Sequence, residues 1–415
     1  MDHLLIRGGR RLEGQVAIEG AKNAALPMCV APLLTDEPVR LHRIPHLRDV
    51  DTILSTISSL GKKIKYDGNT VEISCGGALR SKAEARYVEQ MRASFLILGP
   101  LAARLGHAIV PLPGGCTIGR RPVDLHLEGL RAMGARIEEF PDRVVVKAEK
   151  LHGARISFPY PSVGATEHLL MTAALIRGET QIANPSREPE IGDLISLLRK
   201  MGAHIVVEKM SIRINGSKHL HGAEHTIIPD RLEAGTYLLA GAITGGEVQV
   251  TGVEPEHLRS VIEVLREAGM GITESSDTIR LLAEQRAEPG HIVTAPYPGF
   301  PTDLQPPLVA LLCLGKGESL VEEQVFESRL AYAHSLNRMG GRIKVTGRKA
   351  IVAGVNTLVG AKVPALDIRA GGALILAGLA AEGETVIDYP EHIDRGYASI
   401  EQKLALIGAR IERGE

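Results

Sequence analysis

The stretch PLPGGCTIGRRPVDLHL, Pro111 to Leu127, packs one thiol, two arginines, one carboxylate and three glycines into a loop followed by a helix start. Gly114 and Gly115 can take positive φ and fold the backbone back on itself, which puts Cys116 on a loop tip suited to act as a lid. Arg120 and Arg121 are near enough in sequence to favour the Cys116 thiolate, the form in which a cysteine is chemically competent at neutral pH. The same pair is equally suited to hold a phosphate. Pro122 presets φ for a helix start, and Asp124 falls in the first turn, where the helix dipole favours a carboxylate. A free cysteine is by default a small buried hydrophobe. The flanking glycines and arginines turn this one toward chemistry.

The totals narrow what such a loop could serve. A chain of 415 residues has room for two or three domains, each with a core of its own. A net charge of -1 with a pI near 7 gives no electrostatic reason to expect nucleic acid or a membrane surface, so the partners read as small molecules. The four cysteines, Cys29, Cys75, Cys116 and Cys313, have no CxxC or metal-like spacing, which points to neither a disulfide framework nor a zinc site. The fifteen histidines show no ligand spacing either. No metal site is expected. The N-terminus carries no signal-type apolar run and no stretch reaches membrane-spanning length, so a soluble, cytoplasmic protein is expected. With no Trp and only 3% aromatic residues, the cores must be built from Leu, Ile, Val and Ala, with glycines allowing close helix approach.

The elements that must position the loop repeat along the chain. An apolar helix end, a glycine, a small residue and a β-branched strand recur around Gly61, Gly134, Gly202, Gly269, Gly340 and Gly408, at intervals of 67 to 73 residues. Six units of about 70 residues tile the chain. Each unit holds a second helix, apolar almost all round, which should be buried, whereas the helix before the glycine carries its charges on one face. The unit therefore reads as βαβα with further strands, and three units make a compact domain. Just before the six buried helices stand Lys22 with Asn23, Arg92, Ser162 with Thr166, Arg231 with Glu233, Asp303, and Arg369. Helix N-termini attract anions, so converging several of them would build a phosphate pocket. Capping accounts for Ser162 or Asp303 equally well, and Lys22 taken alone reads as a solvated lysine.

Through GAKNAALP, MRASFLILGPLAARLG, PGGCTIGRRPVDLHLEGL, PSVGAT, DRLEAGTYLLAGA, FPTDLQPP, VFESR, DIRAGGALILAGL and HIDRGYASIEQKL, the chain closely resembles the UDP-N-acetylglucosamine enolpyruvyl transferases, also called UDP-N-acetylglucosamine 1-carboxyvinyltransferases, of the enolpyruvyl transferase family. The match runs in order from end to end. It implies an inside-out α/β barrel fold: residues 22–229 form one domain of three repeats carrying the Cys loop, residues 1–21 plus 230–415 form the other, and the active site lies in the cleft between them. It also implies the reaction. The enolpyruvyl group of phosphoenolpyruvate moves to the 3-hydroxyl of UDP-N-acetylglucosamine with release of phosphate, the committed step toward peptidoglycan, through a tetrahedral adduct and with no metal or organic cofactor.

The resemblance assigns roles residue by residue. Asp303 takes the proton of the sugar hydroxyl. Lys22 binds phosphoenolpyruvate and handles the proton at its methylene carbon. Cys116 is a loop proton donor, open to alkylation by fosfomycin. Arg121 and Arg395 clamp phosphate and carboxylate, and Asn23 and Arg92 complete the phosphoenolpyruvate site. Asn23, Arg92, Arg121, Pro122, Val123, Asp124, Leu125, Ser162, Val163, Gly164, Asp303, Val325 and Arg369 hold the sugar nucleotide. Three positions depart from the family pattern: Tyr160, followed by Pro161, stands where some members have a uridine-contacting lysine, Ser328 replaces a common asparagine, and Arg120 adds a charge to the loop. Two rivals share the general outline: a 5-enolpyruvylshikimate-3-phosphate synthase, against which the PGGCTIG and PVDLHL phrases argue, and a non-catalytic sugar-nucleotide sensor, against which the intact Lys22, Cys116, Asp303 and Arg395 argue. An RNA-end-modifying enzyme on a related repeat fold is disfavoured by the neutral charge.

Overall fold

The structure, a computed structural model, describes residues 2–114 and 123–414. These fall into two compact units, one of residues 20–114 and 123–228, the other of residues 2–19 and 229–414.

One repeat shows how the sequence builds each unit. The strand Arg155–Ser157 leads into the helix Val163–Leu175, which is buried continuously from Ala165 to Ala174 because it offers no polar face to solvent. The strand Glu179–Ala183 returns parallel to the first, so that Gln181 pairs with Arg155. The helix Pro189–Lys200 then opens on Pro189 and Glu190, closes on Arg199 and Lys200, and buries one face through Ile191, Leu194, Ile195, Leu197 and Leu198. Those termini match the helix dipole. A hairpin of His204–Val207 and Ser211–Asn215 completes a four-stranded sheet in which Gln181 also pairs, antiparallel, with Arg213. The unit is βαβαββ.

Among the described residues there are six such sheets, five of four strands and one of three, and none closes on itself. In the three-stranded one, a single parallel bridge from Lys82 to Ile109 stands in for the edge strand. The six repeat glycines all lie in the left-handed region, with φ between 85° and 109°. At the last five, the glycine N–H bonds the carbonyl three residues back and the next N–H bonds the carbonyl five back, as with Gly134 to Arg131 and Ala135 to Leu130. This double clasp stops the outer helix and turns the chain into the next strand.

Two strands pair away from the helix they lead into, each within its own unit. Glu13–Ala17 precedes the helix Lys22–Val30 in sequence, yet pairs in parallel with Glu247–Thr251 in the first repeat of its own unit. Conversely, Ala223–Thr226 precedes the helix Arg231–Ile243 and pairs in parallel with Val39–His42. The N-terminal strand His3–Arg7 takes the antiparallel place beside Glu384–Asp388 and Arg410–Gly414 in the last repeat. Within each unit the apolar helices pack on one another and the sheets lie outside them. No helix among the described residues is long and apolar enough to cross a membrane.

Candidate functional site

Candidate residues gather at the heads of the buried helices, and each unit presents its own group. In the unit of residues 229–414, Asp230 caps the helix Arg231–Ile243 by accepting from the N–H groups of Leu232 and Glu233, at 2.8 and 3.0 Å. Asp367 caps the helix Ile368–Ala380 in the same way through Arg369 and Ala370, at 2.9 and 3.0 Å. Asp303 precedes the helix Gln305–Cys313, whose N-cap position is Leu304. Its carboxylate is instead held by two guanidinium groups: Arg329 Nη2 donates to Oδ1 at 2.8 Å and Arg369 Nε donates to Oδ2 at 3.2 Å. The arginine side chains are only 2% and 4% exposed, while that of Asp303 is 27% exposed. The carboxylate is therefore the solvent-facing tip of a buried charge network, oriented from behind.

That network extends inward. Arg329 Nη1 lies 3.7 Å from Asp367 Oδ1, and Arg329 Nε donates to the Thr302 carbonyl at 3.3 Å. The Arg369 guanidinium sits 5.1 Å from the centre of the Tyr397 ring, and the Tyr397 hydroxyl shares a 3.0 Å hydrogen bond with Thr236. Burial works against the Arg369 charge, but the Tyr397 oxygen, Asp303 and Asp230 outweigh it and lift the pKa above its ordinary value. Its Nη1 is buried with no hydrogen-bond partner among the described residues, a donor that an incoming acceptor would satisfy. Arg395 is half-buried in the turn after the short helix Pro390–His392, beside Asp394, whose carboxylate pairs with Arg413 at 2.6 Å.

In the unit of residues 20–228, Lys22 is the first residue of the helix Lys22–Val30 and is buried, not solvated as a lone lysine would be. Its ammonium lies 2.7 Å from Asp49 Oδ2, in the first turn of the helix Arg48–Ser59. Asn23 beside it is half-buried. Arg92 opens the short helix Arg92–Ile97 and is also half-buried. Neither head has a side-chain cap, since Ala21 and Met91 occupy the N-cap positions. Ser162 does cap: its Oγ accepts from the Ala165 N–H at 3.4 Å, and the Thr166 hydroxyl donates back to the Ser162 carbonyl at 2.7 Å. Val163 and Gly164 follow, both half-buried.

His126 ties two of these heads together. It lies close to Gly164, where an added Cβ would stand 3.4 Å from its Cε1, and burial, His168 and the Arg92 charge together push its pKa well down. Its ring is 5.6 Å from that of Phe95 and 5.0 Å from that of His168. His168 accepts the Gly99 N–H at its Nε2, 2.7 Å away, and burial lowers its pKa to about 3. Both imidazoles are therefore neutral at physiological pH. The helix Asp124–Ala132 starts with exposed Asp124 after half-buried Val123 and buried Leu125 follows. Cys116, Arg120, Arg121 and Pro122 lie outside the described residues.

The structure thus brings Asp303 and Arg369 into direct contact and sets Arg92 near Gly164 through His126. Sequence reasoning missed Asp49, Arg329 and Asp367. An aspartate two residues before Arg369 is an ordinary capping signal and was there to be read. Arg329 stands inside the quoted VFESR phrase without a role, and Asp49 has no local signal at all, because its pairing with Lys22 depends on tertiary packing.

Against known proteins, a family model described as EPSP synthase (3-phosphoshikimate 1-carboxyvinyltransferase) matches residues 6–404. A relative from Acidiphilium cryptum, named UDP-N-acetylglucosamine 1-carboxyvinyltransferase, is 50% identical over 417 residues, covering 100% of this chain and 99% of its own. One of the same name from Kosmotoga olearia is 47% identical, covering 99% of both chains. Among solved structures, the enolpyruvyl transferase NikO from Streptomyces tendae superposes with a TM-score of 0.91 at 25% identity, over 99% of this chain and 98% of that one. An EPSP synthase from Acinetobacter baumannii gives a TM-score of 0.78 at 18% identity over 100% of both chains, a likeness of fold alone. Fold and site together define the class, a two-unit α/β transferase of the enolpyruvyl type. The chain belongs to the carboxyvinyltransferase family described as EPSP synthase (3-phosphoshikimate 1-carboxyvinyltransferase).

Proposed function

We propose that this enzyme transfers the enolpyruvyl group of phosphoenolpyruvate to the 3-hydroxyl of UDP-N-acetylglucosamine and releases phosphate. The observation that carries the reading is full-length identity of 46–50% to relatives named for that activity. The Asp303 geometry supports it, since a carboxylate oriented by two buried arginines and itself partly exposed suits a base that takes a hydroxyl proton. In this reading residues 22–229 and the remainder are two domains whose residues act on the same substrates.

Asp303 accepts the 3-hydroxyl proton as the sugar oxygen bonds to C2 of phosphoenolpyruvate, and the methylene carbon takes up a proton, giving a tetrahedral phospholactoyl adduct. Loss of a proton from the new methyl group and cleavage of the bond to phosphate then regenerate the enol ether. Lys22 and Cys116 serve the protonation at carbon. Arg121 and Arg395 hold phosphate and carboxylate, with Asn23 and Arg92 beside them. The uncapped heads at Lys22 and Arg92 favour the anionic substrate. Arg121 to Leu125, Ser162 to Gly164, Val325 and Arg369 hold the sugar nucleotide. The product feeds peptidoglycan synthesis in the cytoplasm, and alkylation of Cys116 by fosfomycin blocks it.

The test is phosphate release from phosphoenolpyruvate with UDP-N-acetylglucosamine or shikimate 3-phosphate as acceptor. Release with the sugar nucleotide alone is expected. Release with shikimate 3-phosphate alone would move the enzyme to the synthase that its family model names, and tight sugar-nucleotide binding without release would make it a sensor.

A further inference from the structure

Glu323 follows the strand Glu318–Glu322 and is 1% exposed, a position where a carboxylate is costly unless it is well hydrogen-bonded. It meets that condition with four donors. Its Oε1 accepts from the Thr294 hydroxyl at 2.9 Å and from the N–H groups of Val325 and Phe326 at 2.8 and 3.1 Å. Its Oε2 accepts from the Thr302 hydroxyl at 2.9 Å. Thr294 Oγ1 in turn accepts from the Gln324 N–H at 2.9 Å, so three successive backbone N–H groups are fixed by one side chain and its nearest partner.

The two segments that Glu323 joins are those that matter to the reaction. Thr302 adjoins Asp303, and it is gripped on both sides, by Glu323 at its hydroxyl and by Arg329 Nε at its carbonyl. Val325 is the residue assigned to sugar-nucleotide contact on the neighbouring loop. We propose that Glu323 is a positioning residue that sets the register between the Asp303 turn and the Val325 loop, and so aligns the acceptor sugar with its base. The assignment rests on the reaction proposed above. Hydrogen bonds to an ionised acceptor are about twice as strong as neutral ones, which suits a single group asked to hold two loops. Displacements of about 1 Å at such a site cost on the order of a hundredfold in rate.

Steady-state kinetics with both substrates, run beside thermal unfolding, test the role in Glu323→Ala, Glu323→Gln and Thr302→Val. Glu323→Ala is expected to lower kcat/KM for UDP-N-acetylglucosamine by about a hundredfold while KM for phosphoenolpyruvate stays within about threefold. Glu323→Gln recovers most of the loss, because its amide oxygen serves the backbone N–H groups and its NH2 donates to the Thr302 hydroxyl. Thr302→Val releases only the Asp303 side of the clasp and lowers kcat about tenfold at nearly unchanged sugar-nucleotide KM. A purely structural role would lower kcat in step with the folded fraction and leave both KM values alone, which overturns the proposal. If Glu323→Ala does not fold, wild-type kinetics in Thr302→Val overturns it equally. Wild-type protein that neither releases phosphate with the sugar nucleotide nor binds it overturns the functional reading itself, and this assignment falls with it.

Discussion

The helix heads of the two units are built from the same repeat and are capped differently. In residues 229–414, two heads are capped by the carboxylates of Asp230 and Asp367, and before the third Asp303 is clamped by Arg329 and Arg369. In residues 20–228, two heads have Ala21 and Met91 at the cap position and cations, Lys22 and Arg92, in the first turn, while the third has only a long hydroxyl contact from Ser162. A carboxylate-capped terminus has its N–H groups satisfied and repels an anion. An uncapped terminus beside a cation attracts one. One or two side chains per head therefore decide whether a helix terminus of the repeated fold has its N–H groups satisfied by a carboxylate or leaves them open to an anion.

The largest effect expected from breaking this contrast is at Asp303. Asp303→Asn keeps the shape and removes the base, so turnover should fall about a thousandfold or more while circular dichroism and the unfolding midpoint show a folded protein. Wild-type turnover would strike Asp303 from the catalytic set. Next is Arg329→Met, which takes the buried cation from both Asp303 and Asp367. Removing one member of a buried pair costs about 3 kcal/mol, to be read from denaturant midpoints. Lys22→Met does the same to Asp49 in the other unit, with a similar cost in stability, but it should also raise KM for phosphoenolpyruvate, whereas Arg329→Met should act mainly through kcat. Equal effects of the two substitutions on phosphoenolpyruvate KM would erase the distinction between the units.

The contrast also has a pH signature. Glu167, one turn into the helix Val163–Leu175, is buried and faces Glu190 and Glu188, which raise its pKa well above the ordinary value of 4.5 after burial itself has done most of the work. An acid whose folded pKa is raised contributes stability fully only below its unfolded pKa, and loses it as pH rises toward the folded one. Glu167→Gln should therefore match the wild type at about pH 4 and exceed it in unfolding midpoint at about pH 8. In the other unit Glu233 is raised too, by burial, but Lys403 at 2.6 Å pulls the other way, so Glu233→Gln should show the same sign of pH dependence with a smaller gain. A flat pH difference for Glu167→Gln would mean that the carboxyl is not strained by its neighbours.

What could be read from the chain follows from how local each feature is. The six repeat glycines were legible because a helix stop followed by a strand needs a left-handed residue, and all six adopt that conformation. The buried helices were legible from their lack of any polar face. The partners of Glu13–Ala17 and Ala223–Thr226 were not legible in the strands themselves, because five or four residues carry a pattern of burial but not the identity of a partner; only the resemblance grouped residues 1–21 with 230–415. The same divide runs through the site. Lys22, Asp303 and Arg369 stand out as polar residues at apolar helix heads, and Asp367 follows from capping rules. Asp49 and Arg329 do their work through Lys22 and Asp303, 27 and 26 residues away, and Glu323 ties its own loop to Thr302 and Thr294, 21 and 29 residues back. Glu323 in particular sits in an acidic run, VEEQ, that reads as a solvated edge.

The smallest effect discriminates between the two kinds of head most finely. Asp367 accepts two N–H groups at 2.9 and 3.0 Å and also stands near Arg329, so Asp367→Ala should cost about 1–2 kcal/mol of stability, the upper range for a lost cap. Ser162 accepts one N–H at 3.4 Å, a bond already near the limit of useful geometry, so Ser162→Ala should cost about 0.5 kcal/mol or less. If capping were its purpose, that would be the whole effect. The proposed site puts Ser162, Val163 and Gly164 against the sugar nucleotide, and then calorimetry should show Ser162→Ala losing more in UDP-N-acetylglucosamine affinity than in unfolding free energy, because the hydroxyl is replaced where a ligand oxygen would meet it. Stability and affinity falling by the same small amount would return Ser162 to the ordinary capping residue that its type suggests.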